Sequence, residues 1–225
     1  MNFPDALLSP IWASGAFLCF LPVLIWSVAT APWVRLTDSA QSNVWLGAIV
    51  FLTLVWNMKA GVKPGLNLHL LGATMFTLMF GRQLAIIGLA SVLAAVTLNA
   101  WFSGVSGWQA YALNALVLIV VPVFVSDIIR QLMERVLPAN FFIYIFIGAF
   151  FGAAASLLAA GVATASVLWL AGAYPADFLW QHYLSYILLL TFAEAWLNGA
   201  MITLMAVYLP HWLGSFDDQR YLLNN

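Results

Sequence analysis

The chain has 225 residues, 64% of them hydrophobic and 7% charged, with a formal net charge of -1 and a mean hydropathy of +0.99. Apolar runs long enough to cross a hydrocarbon core recur along nearly its whole length, which excludes an ordinary soluble domain and predicts a single integral membrane domain in a lipid bilayer. Seven Lys and Arg against eight Asp and Glu leave no basic patch for nucleic acid, and the single cysteine, Cys19, excludes an intrachain disulfide or a CxxC metal site.

The expected fold class is all-α, a polytopic membrane helix bundle. Lipid cannot satisfy free backbone groups, and the alternation of a spanning barrel is missing. Residues 1–10 carry two prolines and no Lys or Arg; a secretory leader needs a basic start, so this segment is expected to be retained as a substrate-capture lead-in. About seven transmembrane helices follow, over 11–31, 43–58, 69–81, 83–102, 109–132, 139–164 and 181–208, so that the bundle fills 11–208 and residues 209–225 form a cytoplasmic tail. Pro32 and Thr37-Asp38-Ser39 close the first helix, Gly61, Pro64 and Gly65 form the second loop, Gly81-Arg82 makes a tight turn, and Pro138 precedes the sixth helix. The third helix, ~20 Å long, is short for a full span, and is expected either to extend back through Asn67 or to be a partial span. The run from Ala139 to Ala173 is too long for one upright helix and is expected to tilt, project or break near Gly161.

Basic residues orient this bundle. With the N-terminus outside, Arg35, Arg82, Arg130, Arg135 and Arg220 fall on the cytoplasmic side and only Lys59 and Lys63 outside, in accord with the positive-inside rule. Met1, the loop around 59–68 and His69 then share the outer face.

His69 is the leading candidate for chemistry. It follows the polar stretch Lys63-Pro64-Gly65-Leu66-Asn67-Leu68 and precedes an apolar run, so its imidazole reaches an outer vestibule from a rigid element, as a metal ligand requires. The Met1 amine, with a pKa near ~8, sheds its proton at modest cost and binds transition metals. Asn2 is bulky enough to keep Met1 in place, and Asn2 and Asp5 are further candidates for the same cation. The alternatives are a histidine hydrogen-bonded to a backbone carbonyl and an N-terminal segment that simply caps the first helix. His182 and His211 read as interfacial.

Glu194, Asn198, Met201 and Met205 follow i, i+4, i+7, i+11 on one helix face. A carboxylate this deep faces the bundle interior, in a structural or coupling role together with Asn198 and Asn114. Asp127, Arg130 and Glu134 are spaced as a mutually paired helix end. Gly148, Gly152, Ser156 and Ala160 form a small-residue stripe for close helix approach. No HExxH, GxSxG or P-loop is present, so the chain reads as a non-enzyme with no ATPase motif of its own.

Four segments in order resemble one family. Asn2-Phe3-Pro4-Asp5-Ala6-Leu7-Leu8-Ser9-Pro10 resembles the Met-His-Ile-Pro-Asp-Gly-Phe-Leu-Ser-Pro opening of the CbiM/NikM proteins, the substrate-binding membrane components of energy-coupling factor transporters for cobalt and nickel. Gly65–Ala73 is similar to its segment ending in His-x-x-Gly-Thr, Gly107–Ala115 to its Gly-x-x-x-x-Gly-Ala-Asn segment, and Phe192–Gly199 to its Val-Glu-Gly-x-x-Thr-Gly helix.

The resemblance implies import of a divalent transition-metal ion, Ni²⁺ or Co²⁺, as cargo, with no permanently bound cofactor. It implies partnership with a membrane coupling subunit and ATPase subunits in the plasma membrane. The family chelates its ion through the Met1 amine, the backbone nitrogen and imidazole of a histidine in the second position, and another imidazole. Met1 and His69 carry over; the second position here is Asn2, which removes one imidazole and its chelate ring. Lys59 and Lys63 also disfavour a bare cation. Three readings follow: a metal permease component, a non-transporting accessory or scaffold subunit with a decayed metal site, and a binder of a small organic substrate.

Overall fold

The computed structural model describes residues 2–7, 9–58, 60–61, 63–217 and 219–223. Seven helices follow in chain order: α1 (Pro10–Thr30), α2 (Ser39–Asn57), α3 (Ala73–Phe80), α4 (Arg82–Phe102), α5 (Tyr111–Val136), α6 (Phe141–Leu170) and α7 (Ala176–Tyr208). All except α3 are long and apolar enough to cross a membrane, and the molecule is an all-α, multi-pass membrane bundle. Between α2 and α3 a two-residue antiparallel ladder joins β1 (Ala60–Gly61) to β2 (Asn67–Leu68).

Prolines and caps set several of the boundaries. Pro10 opens α1 at a position whose N–H would be unpaired in any helix. Asp38, expected to close the first helix, instead caps α2 by accepting the Ala40 N–H at 3.1 Å. Within α5, residues Leu116–Val120 widen into π-type turns just ahead of Pro122, which relieves the ring's clash with the preceding turn. The long α6 does not break at Gly161, which stays helical against Ile187. Its irregularity is a π-type stretch at Tyr144–Phe151, and at 30 residues its length of roughly 45 Å exceeds the hydrocarbon thickness.

The short α3 is the centre of the bundle. All eight of its residues are buried, and α4, α5, α6 and α7 enclose it. Thr74 Oγ1 meets Ser126 Oγ at 2.6 Å and Ser156 Oγ at 2.9 Å, so the small-residue face of α6 brings a polar contact to α3 as well as a close approach. A helix this short has orphan backbone groups at both ends. At its C-terminal end the segment after α7 supplies donors: Gly214 N–H to Met79 O at 2.9 Å, and Ser215 N–H and Oγ to Leu78 O at 3.2 and 2.9 Å. The described residues of the segment expected as a cytoplasmic tail are therefore folded onto the bundle, with Leu213, Phe216 and Tyr221 buried.

The same end of the bundle gathers the charges. Asp127 pairs with Arg82 at 3.3 Å and with Arg130 at 2.7 Å, and Arg130 also pairs with Glu134 at 2.8 Å. The opposite end carries the β-hairpin, the N-terminal segment and the α4–α5 connection.

Candidate metal centre

The N-terminal segment runs into the bundle instead of lying on it. Phe3 is buried, and its backbone is held in both directions by one side chain: its N–H donates to Asn114 Oδ1 at 2.7 Å, and Asn114 Nδ2 donates to its carbonyl at 3.1 Å. Two residues on, Asp5 N–H donates to Ser106 Oγ at 3.3 Å, and Asp5 Oδ1 accepts the Ala110 N–H at 2.8 Å. Asp5 thus satisfies an orphan donor at the start of α5 from more than a hundred residues away. A Cβ at Gly107 would collide with the Asp5 carboxylate, so only glycine admits this approach.

This anchoring sets Asn2 beside His69. Asn2 Oδ1 lies 3.1 Å from His69 Nε2, and His69 Nδ1 lies 3.1 Å from the Leu70 carbonyl. Donation from Nδ1–H to that carbonyl leaves the Nε2 lone pair directed at Asn2, the arrangement that orients a ligating imidazole. Turning the Asn2 amide over presents its N–H to that lone pair, while a ring protonated on both nitrogens donates to Oδ1. The Trp56 ring packs against the imidazole at 5.1 Å between centroids. His69 is only 3% exposed, so it is not the open vestibule residue that the sequence suggests.

Residues 69–72 are non-helical backbone inside the bundle, and side chains pair the Leu71 and Gly72 amides. Trp56 Nε1 donates to Leu71 O at 3.1 Å. Glu194 Oε2 accepts the Leu71 N–H at 2.9 Å, and Oε1 accepts the Gly72 N–H at 2.7 Å. Asn198 Oδ1 accepts the Met75 N–H at 2.9 Å and its Nδ2 returns to Glu194 Oε1 at 3.1 Å. Glu194 and Asn198 therefore act as a side-chain cap for α3, presented by α7. The third helix, expected over 69–81, begins only at Ala73: Glu194 holds the Leu71 and Gly72 N–H groups out of the helix, and Gly72, at φ 66°, permits the left-handed turn this requires.

Of the site residues expected from sequence, Asn2 and His69 come together. Asp5 is engaged with Ala110 and Ser106. Asn114 stands apart from Glu194 and Asn198 and grips Phe3 instead. Met1 lies outside the described residues, as does Lys59. Among the described residues no group of three or more His, Cys, Asp or Glu is placed to hold a metal. His182 stacks on Phe178 at 4.6 Å, and the backbone carbonyl of His211 accepts from Gln41 at 2.6 Å.

The hairpin roofing this end is tied down by Tyr174, whose phenol donates to the Pro64 carbonyl at 3.0 Å; burial raises the pKa of that phenol above its ordinary value. Trp56 and Ser106 are contributors that sequence reasoning missed. A tryptophan at the end of an apolar helix carries the same signature as an interfacial anchor, and a loop serine carries none.

Fold and site together define a multi-pass membrane protein whose N-terminal segment reaches a buried histidine through Asn2. The model of the cobalt uptake substrate-specific transmembrane region, CbiM, matches residues 2–212, and the chain belongs to that family. Two crystal structures share the fold at 20% identity. A transition metal transporter aligns with a TM-score of 0.74 over 92% of this chain and 93% of its own. A truncated transition metal transporter aligns with a TM-score of 0.72 over 92% and 99%. No curated protein matches the chain. Family membership makes it a membrane component of metal transport.

Proposed function

We propose that the chain is the substrate-capturing membrane component of an energy-coupling factor transporter, importing a transition-metal ion of the cobalt and nickel type across the plasma membrane. The N-terminus faces outside in this reading, and a coupling subunit with ATPase partners supplies the energy that no motif in this chain can supply. His69 Nε2 is the fixed imidazole ligand, the Met1 amine is the second donor, and Asn2 contributes its amide where the family has a histidine. The observation that carries this reading is the Asn2–His69 contact at 3.1 Å, which brings the N-terminal segment to an oriented imidazole. A nitrogen-rich set of this kind suits Ni²⁺ and Co²⁺.

The scaffold reading draws support from the same position, since Asn2 removes one imidazole. Metal content of the purified protein separates the two. Wild type with an unblocked N-terminus, exposed to Ni²⁺ or Co²⁺ and desalted, is expected to retain close to one ion per chain, and His69→Ala to retain none. Equal, negligible retention by both proteins would leave the scaffold reading.

A further inference from the structure

A cavity of about 700 Å³ opens beside the candidate metal centre, between the N-terminal segment, the hairpin and the end of α4. An ion with six waters, at about 30 Å³ per water, fills roughly 180 Å³. The space is therefore several times larger than a hydrated ion needs, and it lies in the range that holds small organic molecules.

The chemistry of its walls is as informative as its size. Asn2, Asn67, Thr97 and Ser106 bring amides and hydroxyls, Asn114 lines the space with its amide already bonded to Phe3, and Lys63 brings the single formal charge among the described lining residues. The Lys63 ammonium sits 4.4 Å above the Phe178 ring, which holds the positive charge at this end of the bundle. No described carboxylate lines the space. A bare divalent cation is stabilised by anionic donors, and this cavity offers the reverse. Asn2 belongs to both places: its residue lines the cavity and its side chain touches His69 Nε2.

We propose that this cavity receives the organic part of a metal chelate, so that the cargo enters as a small anionic carboxylate complex of the metal, not as the free ion. The proposal rests on the metal-capture reading above. A one-to-one complex of a divalent ion with a tricarboxylate carries one net negative charge, which Lys63 attracts, and its carboxylate and hydroxyl oxygens suit the Asn2 amide and the Thr97 and Ser106 hydroxyls, while its methylene carbons suit the apolar remainder of the lining. Such a complex keeps water in some coordination positions, and His69 Nε2 replaces one of those waters. The chelator thereby supplies the donors that the missing second histidine does not. No bond order or oxidation state changes in this exchange: one water leaves the metal and one imidazole nitrogen binds it.

Equilibrium dialysis with radiolabelled nickel and radiolabelled citrate tests this on the full chain with a free N-terminus. Nickel with citrate is expected to bind about tenfold tighter than nickel alone, equivalent to about 1.4 kcal/mol, with one citrate retained per nickel. Lys63→Glu and Thr97→Trp each remove that gain, the first by charge and the second by filling the cavity, and Lys63 is exposed enough for its exchange to leave folding intact. His69→Ala loses nickel with and without citrate. Nickel retained equally in both conditions, with no citrate, overturns the chelate proposal and leaves metal capture standing. Nickel retained in neither condition overturns metal capture itself. Citrate retained without nickel, and in His69→Ala, overturns the chelate proposal in favour of an organic-anion site.

Discussion

Replacing Glu194 by alanine isolates the element that holds His69 in place. Glu194 is 1% exposed, and its two oxygens accept the Leu71 and Gly72 N–H groups at 2.9 and 2.7 Å. The substitution strands two buried donors, each costing about 1–3 kcal/mol, for a total of about 2–6 kcal/mol before any cavity term. Glu194→Gln keeps one acceptor oxygen but turns an N–H toward the other donor, so about half of that loss is expected. Hydrogen exchange by mass spectrometry on the peptide covering 69–75 reads the local effect. At about tenfold per 1.4 kcal/mol, exchange at Leu71 and Gly72 is expected to quicken at least about thirtyfold in Glu194→Ala. Denaturant titration of the detergent-solubilised protein is expected to show a loss of the same order. Unchanged exchange and unchanged stability in Glu194→Ala would refute the capping role and, with it, the explanation of why α3 starts at Ala73.

Other perturbations separate the remaining contacts. Asn114→Ala removes both hydrogen bonds to Phe3 and is expected to lower metal affinity about tenfold, for a loss of about 1–2 kcal/mol; a metal titration, with limited proteolysis of the first residues, checks it. Gly72→Ala meets both a left-handed backbone and Leu52 Cδ2 at 2.6 Å, so about 1–3 kcal/mol of stability is lost. In a Leu52→Ala background, which removes that contact, Gly72→Ala is expected still to cost about 1 kcal/mol or more, and no cost there in a denaturant titration would argue against backbone strain. Asp127→Asn leaves Arg82 and Arg130 short of their shared carboxylate. Because both arginines are partly exposed, at 36% and 24%, the expected loss is about 1–3 kcal/mol, below that for a fully buried pair.

Much of the bundle was legible because it depends on local signals. The apolar runs located six spans, and Gly81 marked the turn before α4. Asp127, Arg130 and Glu134 announced their pairing through i+3 and i+4 spacing. The histidine at 69 stood out because so few imidazoles are present. The features missed depend on residues distant in sequence. Nothing in Asp5 signals that it will cap a helix beginning at Tyr111, and nothing in Gly214 or Ser215 signals that they will donate to the end of α3. A two-residue ladder such as β1–β2 is too short to show a period. The late start of α3 arises from Glu194 on α7, a competition that propensity along residues 69–72 does not contain.

X-ray absorption of the nickel-loaded protein tests the metal centre most directly, because it reads the ligand set itself. One imidazole among nitrogen and oxygen donors is predicted in wild type, with the imidazole scattering absent from His69→Ala and the spectrum altered by a two-residue extension ahead of Met1. A spectrum without imidazole scattering, or one that His69→Ala leaves unchanged, would contradict a capture site built on His69 and the N-terminus.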